Sequence, residues 1–231
     1  MFPNRKTSLQ FLIMAKDAFL IDYYAKRAQE YERLYEKPER QADLAAIKKL
    51  CAEAMAGKHV LEIACGTGYW TQAAAQTARS IVATDINEEV LQIARSKSYP
   101  CGVQVQSADA FILGSLPGQP FTAGMAMHWW SHLRQTEIPR FLAGFHQLFS
   151  PGARLLFMDN RFVAGSNTPI SRTDAAGNTY QLRRLADGTG HEVLKNFPSA
   201  SEVQHFLGEA ADEVCWTELP YYWILTYQLR K

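Results

Sequence analysis

The alternation of strand and helix patterns between residues 58 and 160 constrains the fold more than any other feature. Short apolar runs such as IVATD (81–85) and FTAGMAMHWW (121–130) are separated by stretches with helical periodicity. Consecutive parallel strands need crossover connections, and helices in those crossovers cover both faces of the sheet. The sequence therefore predicts an α/β fold with a mostly parallel sheet, whose ligand site lies at the carboxyl ends of the strands.

The segments on either side of this core follow other patterns. Residues 16–36 predict an amphipathic helix, and a second helix is expected at about 41–56. Past residue 160, the run TYQLRRLADGTGHEVLKNF (179–197) predicts a β-hairpin, and the long stretch 161–178 is expected to be a loop. The last twenty residues predict two antiparallel strands.

Composition excludes several classes of protein. The 24 basic and 23 acidic side chains give a net charge of +1 without a basic stripe, so nucleic acid is not an expected partner. The four cysteines form no CxxC pair, which suits a reducing cytoplasm. The apolar run FLIMA (11–15) is too short for a signal peptide or a membrane span, so we expect a loosely packed leader and a cytoplasmic protein.

A glycine-spaced turn follows the first strand of the core, in VLEIACGTGYW (60–70). A P-loop needs a Lys and a Ser or Thr after its last glycine, but Gly68 precedes Tyr69 and Trp70. A dinucleotide-binding turn needs a third glycine, and Thr71 stands in its place. The turn therefore fits neither a nucleoside triphosphate nor a dinucleotide.

Three acidic residues narrow the choice of ligand. Glu62, Asp85 and Asp109 lie at or near the carboxyl ends of three successive strands. Any one of these acidic residues would be ordinary at a solvent-exposed strand end. Together they would repel a pyrophosphate, and they suit a cationic ligand that has an amino-acid tail, a ribose and an adenine.

The motifs LEIACGTGYW, ATD and ADAF, taken together, resemble those of the class I S-adenosylmethionine-dependent methyltransferases over residues 58–160. The resemblance implies a Rossmann-like fold with a seven-stranded, mostly parallel sheet whose last strand is antiparallel. It also implies a helical N-terminal lid and a C-terminal β-hairpin insertion. One departure is Ala64, where the family usually has a glycine. We expect this methyl group to be tolerated, because that position packs the turn.

The resemblance also assigns cofactor-binding roles. Glu62 would face the methionine ammonium, Asp85 would hold the ribose, and Asp109 with Ala110 would meet the adenine. The backbone of the glycine turn would approach the methionine part. The full implied set is Glu62, Ala64, Gly66, Gly68, Trp70, Asp85, Ile86, Asp109, Ala110 and Met127.

The residues after the fourth strand are candidates for acceptor chemistry. His128 is a candidate general base, or a hydrogen-bond donor to an acidic acceptor. His128 and His132 are four residues apart, but no third ligand is evident, so no metal is predicted. Trp129 and Trp130 are expected in the core, with one of them able to wall the pocket. The Asn/Asp-Pro-Pro-aromatic run of nucleic-acid amine methyltransferases is missing, which counts against DNA or RNA amines.

The predicted hairpin carries two cations. Arg183 and Lys195 are expected to converge as an anion clamp, although an ordinary solvated cross-strand face explains them as well. The motifs YYAKRAQEYERLY (23–35), HWWSH (128–132) and RRLADG…VLKNF (183–197) resemble a narrower, phosphonate O-methyltransferase-like group that acts on small molecules. This resemblance implies acceptor contacts from Tyr24, Tyr31, His128, Arg183 and Lys195. The loop at 161–178 matches that group poorly.

We therefore expect a single domain over residues 1–231, with a lid (1–45), a cofactor-binding half (46–160) and an acceptor side (161–231). The predicted function is S-adenosylmethionine-dependent O-methylation of a small phosphonate or carboxylate, by a monomer or homodimer that contacts neither nucleic acid nor membrane. N-methylation of a small amine and a non-catalytic, cofactor-binding regulator are the alternatives. The aromatic lid argues against a protein or RNA acceptor.

Overall fold

A computed structural model describes residues 28–114, 116–184 and 188–230 of the chain. Its strands fall into a seven-stranded main sheet and a separate small sheet. In chain order they are β1 (His59–Ile63), β2 (Ser80–Asp85), β3 (Gly102–Ser107), β4 (Phe121–Met127), β5 (Phe149–Asn160), β6 (Ile170–Thr173), β7 (Thr179–Arg184), β8 (Gly190–Leu194), β9 (Ala211–Glu218) and β10 (Tyr222–Leu229).

The main sheet has the order β3-β2-β1-β4-β5-β10-β9. β10 runs antiparallel to its neighbours β5 and β9, and the strands from β3 to β5 pair in parallel. The predicted Rossmann-like sheet with an antiparallel last strand is confirmed. Since β1 lies between β2 and β4, the carboxyl ends of these three strands meet at one edge.

Helices cover both faces of the main sheet. They are α1 (Gln41–Met55), α2 (Tyr69–Ala75), α3 (Glu88–Ser96), α4 (Ile138–His146) and α5 (Ala200–Leu207), with 3₁₀ helices at Ala28–Tyr35, Pro38–Arg40, Trp130–His132 and Gly208–Ala210. Successive side chains of β1 point to opposite faces of the sheet. Val60 packs in the core under α1, α2 and α3, and Leu61 packs in the core under α4 and α5. Both residues are fully buried, so the strand is apolar on both faces.

Two local signals in the sequence determine helix starts. Pro139 lies in the first turn of α4, where its missing N–H costs no intrahelical hydrogen bond. Ser199 and Glu202 form a reciprocal capping box at the start of α5. Each helix therefore begins at a position that its local sequence favours.

The insertion after β5 is a three-stranded antiparallel sheet, and not the two-stranded hairpin predicted from the sequence. β7 and β8 are the predicted hairpin, and β6 adds a third strand from within the stretch expected to be a loop. All four residues of β6 are exposed, so its sequence has no alternation of polar and apolar positions. The burial pattern therefore explains why it was missed.

The N-terminal lid is described only from Ala28 onward, and the described part is a 3₁₀ helix that ends at Tyr35. The Tyr35 ring is buried and stacks on Tyr69, with 3.8 Å between ring centroids. The predicted leader, the start of the predicted helix and Tyr24 lie outside the described residues. Within the described part of the chain, no helix has the length and apolarity needed to cross a membrane.

Candidate active site

The glycine turn curls over the carboxyl end of β1 through left-handed backbone. Ala64, Gly66 and Gly68 have φ angles of 51°, 55° and 78°. A Cβ on Gly68 would lie 2.4 Å from the Tyr99 hydroxyl, so this position needs a glycine. Ala64 adopts the left-handed conformation at a cost of about 1–2 kcal/mol relative to glycine. The turn therefore keeps its shape despite the missing first glycine.

A cavity of about 180 Å³ lies at this edge of the sheet. It brings together seven of the predicted cofactor residues, namely Ala64, Gly66, Asp85, Ile86, Asp109, Ala110 and Met127. The predicted acceptor residues Tyr31 and His128 line it as well. Asp85 organises the site, because one of its oxygens accepts the Gly66 N–H at 2.9 Å and the other accepts the Asn87 N–H at 2.9 Å.

Three predicted cofactor residues do not line the cavity: Glu62, Gly68 and Trp70. The Trp70 indole donates to the Tyr35 hydroxyl at 3.1 Å, which ties the turn to the lid. The Glu62 carboxylate is 1% exposed and accepts the Thr71 hydroxyl at 2.6 Å. Burial raises the pKa of Glu62 to about 8, so this group is mostly neutral at pH 7.

His128 follows β4 directly and has a left-handed backbone, with φ 60°. Its backbone N–H donates to the Met158 carbonyl at 2.7 Å, and its ring nitrogen Nδ1 lies 3.6 Å from Asp159 Oδ1. Its Nε2 is buried and has no hydrogen-bond partner in the described part of the chain. Burial lowers the pKa of His128, and the nearby Asp159 opposes this only in part. The imidazole is therefore neutral at pH 7.

The two predicted clamp cations lie apart from the cavity lining. The Lys195 ammonium is 3% exposed and donates to Asp159 Oδ1 and Ser131 Oγ, both at 2.7 Å. This ammonium holds the pKa of Asp159 well below its usual range, although burial acts in the opposite direction. The Arg183 guanidinium donates to Gln181 Oε1 at 2.9 Å. Their role as an anion clamp stays a prediction.

Trp129, one of the two tryptophans considered as a wall of the pocket, lines the cavity. Other lining residues received no cofactor or acceptor role from the sequence, namely Asn87, Val90, Ala108, Phe111, His132 and Glu137. Asn87 Oδ1 and Trp129 Nε1 are buried without a hydrogen-bond partner among the described residues, so both are free to contact a ligand. Within the same residues, no group of three His, Cys, Asp or Glu side chains is arranged to hold a metal ion.

Comparison with known proteins identifies the family. A family model described as a methyltransferase domain matches residues 60–152, which include the glycine turn and every strand that lines the cavity. The solved complex of DhpI with SAH aligns at a TM-score of 0.73 and 25% identity, and covers 92% of this chain and 96% of that chain. Residues 60–152 therefore belong to the methyltransferase-domain family, and the fold around them is that of the class I S-adenosylmethionine-dependent methyltransferases.

Curated relatives of this methyltransferase match over a shorter stretch. The ubiquinone biosynthesis O-methyltransferase of Xanthomonas axonopodis pv. citri is 30% identical over 166 residues, which are 67% of this chain and 62% of that protein. The malonyl-[acyl-carrier protein] O-methyltransferase of Erwinia pyrifoliae is 29% identical over 131 residues, or 55% of this chain and 46% of that protein. This methyltransferase therefore spans less than two thirds of the length of these relatives.

Proposed function

We propose that this methyltransferase transfers the methyl group of S-adenosylmethionine to an oxygen of a small anionic metabolite, a phosphonate or a carboxylate. The observation that carries the proposal is the shared cavity, in which Asp85 and Asp109 lie together with His128 and Tyr31. Candidate cofactor contacts and candidate acceptor contacts therefore line one cavity. Two curated relatives are named O-methyltransferases, which supports oxygen as the acceptor atom.

The residues at the cavity fit the cofactor. Asp85 would hold the ribose hydroxyls, and Asp109 with Ala110 would hold the adenine. The unpartnered Asn87 Oδ1 supplies one more acceptor at the same edge. Glu62 would face the methionine ammonium from behind the turn. The bound cofactor supplies the electrophilic sulfonium methyl group.

Methyl transfer from a sulfonium is an in-line displacement, and its main requirement is alignment of the acceptor atom with the methyl and the sulfur. An ionised phosphonate or carboxylate oxygen needs no base. The neutral His128 side chain would then orient the acceptor through Nε2, while Tyr31 closes the cavity to water. Tyr24 keeps its proposed place in the lid, outside the described residues.

N-methylation of a small amine is the second candidate, and the neutral His128 favours it. Its unpartnered Nε2 lies at the cavity and is able to take a proton from an ammonium acceptor. Asp159 near Nδ1 would stabilise the imidazolium that results. An amine acceptor would need this base, whereas an ionised acid would not.

A panel assay separates these candidates. Transfer of radiolabelled methyl from S-adenosylmethionine would be measured with small phosphonates, carboxylates and amines, for the wild type and for H128Q. Signal from acids, with a modest loss in H128Q, supports the proposal. Signal from amines alone, abolished in H128Q, establishes the second candidate. Tight cofactor binding without methyl transfer to any compound of the panel would contradict both candidate functions. The remaining alternative would then be a non-catalytic, cofactor-binding regulator.

A further inference from the structure

A buried cation without a counter-ion lies beside the candidate site. Arg40 ends the 3₁₀ helix Pro38–Arg40 and is 5% exposed, yet it forms no ion pair in the part of the chain that the structure describes. Its Nη2 donates to Ser166 Oγ at 2.9 Å, while its Nε has no acceptor. Burying an unpaired charge is costly, so such a guanidinium is well suited to bind an anion.

Two further buried polar atoms without partners lie close to Arg40. Tyr222 has its ring centroid 5.5 Å from Arg40 Cζ and 5.8 Å from the His128 ring centroid. The Tyr222 hydroxyl and His128 Nε2 both lack a hydrogen-bond partner among the described residues. His128 belongs to this cluster and also to the cavity lining. His128 therefore links this cluster to the cavity, whose lining does not itself include Arg40 or Tyr222.

Electrostatics separates Arg40 from the other buried cation. Lys195 is neutralised by the Asp159 carboxylate at 2.7 Å, and its two side-chain hydrogen bonds hold it away from the cavity lining. The Arg40 charge is close enough to lower the pKa values of both His128 and Lys195, after the larger effect of burial. Arg40 thus supplies the uncompensated positive charge at this site.

We propose that Arg40 and Tyr222 form an oxyanion-binding subsite that holds the anionic group of the acceptor. The inference rests on the proposed function, and it assigns this role to two residues that the sequence did not single out. The guanidinium would donate through Nε and the phenol through its hydroxyl, while the hydrogen bond from Nη2 to Ser166 Oγ holds the guanidinium in place. Charge-assisted hydrogen bonds of this kind give both affinity and orientation.

Inorganic phosphate is a suitable probe for this subsite. Phosphate would be titrated into the protein saturated with S-adenosylhomocysteine, and its affinity would be measured from the shift in melting temperature. We expect R40Q to weaken phosphate binding at least about tenfold, and Y222F to weaken it severalfold. K37Q is the matched control, because Lys37 donates to the carbonyl of the same residue, Ser166, at 3.0 Å but is not buried. It should bind phosphate like the wild type.

Two results would overturn the subsite: unchanged phosphate affinity in Y222F and R40Q, or an equal loss in K37Q. If R40Q fails to fold, Y222F decides, because it removes only a hydroxyl. The acceptor KM separates this inference from the proposed function. Acids methylated with an unchanged KM in both variants would overturn the subsite alone. Absence of methyl transfer to any acid would overturn the function, while the phosphate titration still tests the subsite.

Discussion

Burial determines the charge of Glu62, the carboxyl group behind the glycine turn. Its pKa is raised from the ordinary value of 4.5 to about 8, first by burial, while the Thr71 hydroxyl opposes the shift. The neutral form therefore contributes stability that is fully present below pH 4.5 and lost as the pH rises through 8. A bound ammonium group near this carboxyl would lower its pKa again, because opposite charges favour ionisation.

Binding of S-adenosylmethionine should therefore release a proton from Glu62. At pH 7 we expect close to one proton per molecule bound for the wild type, and close to none for E62Q. The measurement is isothermal titration calorimetry in two buffers that differ in ionisation enthalpy. T71V is a useful comparison, since it removes the hydroxyl donor and keeps the carboxyl. Equal proton release from the wild type and E62Q would show that Glu62 does not ionise on binding.

A buried ion pair links the end of the small sheet to the main sheet. Lys195, directly after β8, donates to Asp159 in β5 and to Ser131 in the 3₁₀ helix Trp130–His132. The neighbouring Asn196 N–H donates to the Ser131 carbonyl at 2.8 Å. Loss of the ammonium would leave the Asp159 carboxylate buried and uncompensated, which is much more costly than loss of an exposed pair.

K195M should therefore lower the free energy of unfolding by about 3–5 kcal/mol. R184Q is the control, because Arg184 is exposed on β7, and it should change stability by less than about 0.5 kcal/mol. Urea unfolding followed by tryptophan fluorescence measures both. A K195M protein as stable as the wild type, but inactive on acids, would instead place the ammonium in contact with the acceptor.

The elements were predictable where burial follows a pattern within a few residues. Continuous apolar runs predict the strands β1, β2 and β4. Asp85 ends β2 and Asp109 follows β3, in the order that the family motifs require. Arg40 was not predictable, because an arginine is rarely buried and its place depends on Ser166, which is 126 residues away. The pairing of Lys195 with Asp159 likewise depends on how two sheets pack.

At the scale of the whole molecule, the cavity joins four strands of the main sheet. Its lining includes residues at or just after the carboxyl ends of β1, β2, β3 and β4, namely Ala64, Asp85, Asp109 and His128. A ligand that fills this cavity contacts all four turns and is absent from the unfolded chain. The free energy of binding is therefore added to the free energy of unfolding.

S-adenosylhomocysteine at about 100 times its Kd should stabilise the protein by about 2.7 kcal/mol. For a chain of this size that corresponds to an increase in Tm of about 5–10 °C, measured by differential scanning calorimetry. D85A should lose most of the increase, because Asp85 lines the cavity and accepts the Gly66 N–H. D212N, at an exposed position of β9, should retain it. An equal increase in both variants would place the ligand elsewhere.

The position of the small sheet in the chain has an evolutionary consequence. The residues that line the cavity all precede β5, whereas β6, β7 and β8 form one continuous excursion between β5 and α5. Mutation or recombination within that excursion therefore leaves the residues that line the cavity in place. Any replacement of this segment must still place a cation at the position of Lys195. The reason is that Asp159, its partner, lies in β5 outside the segment and is completely buried.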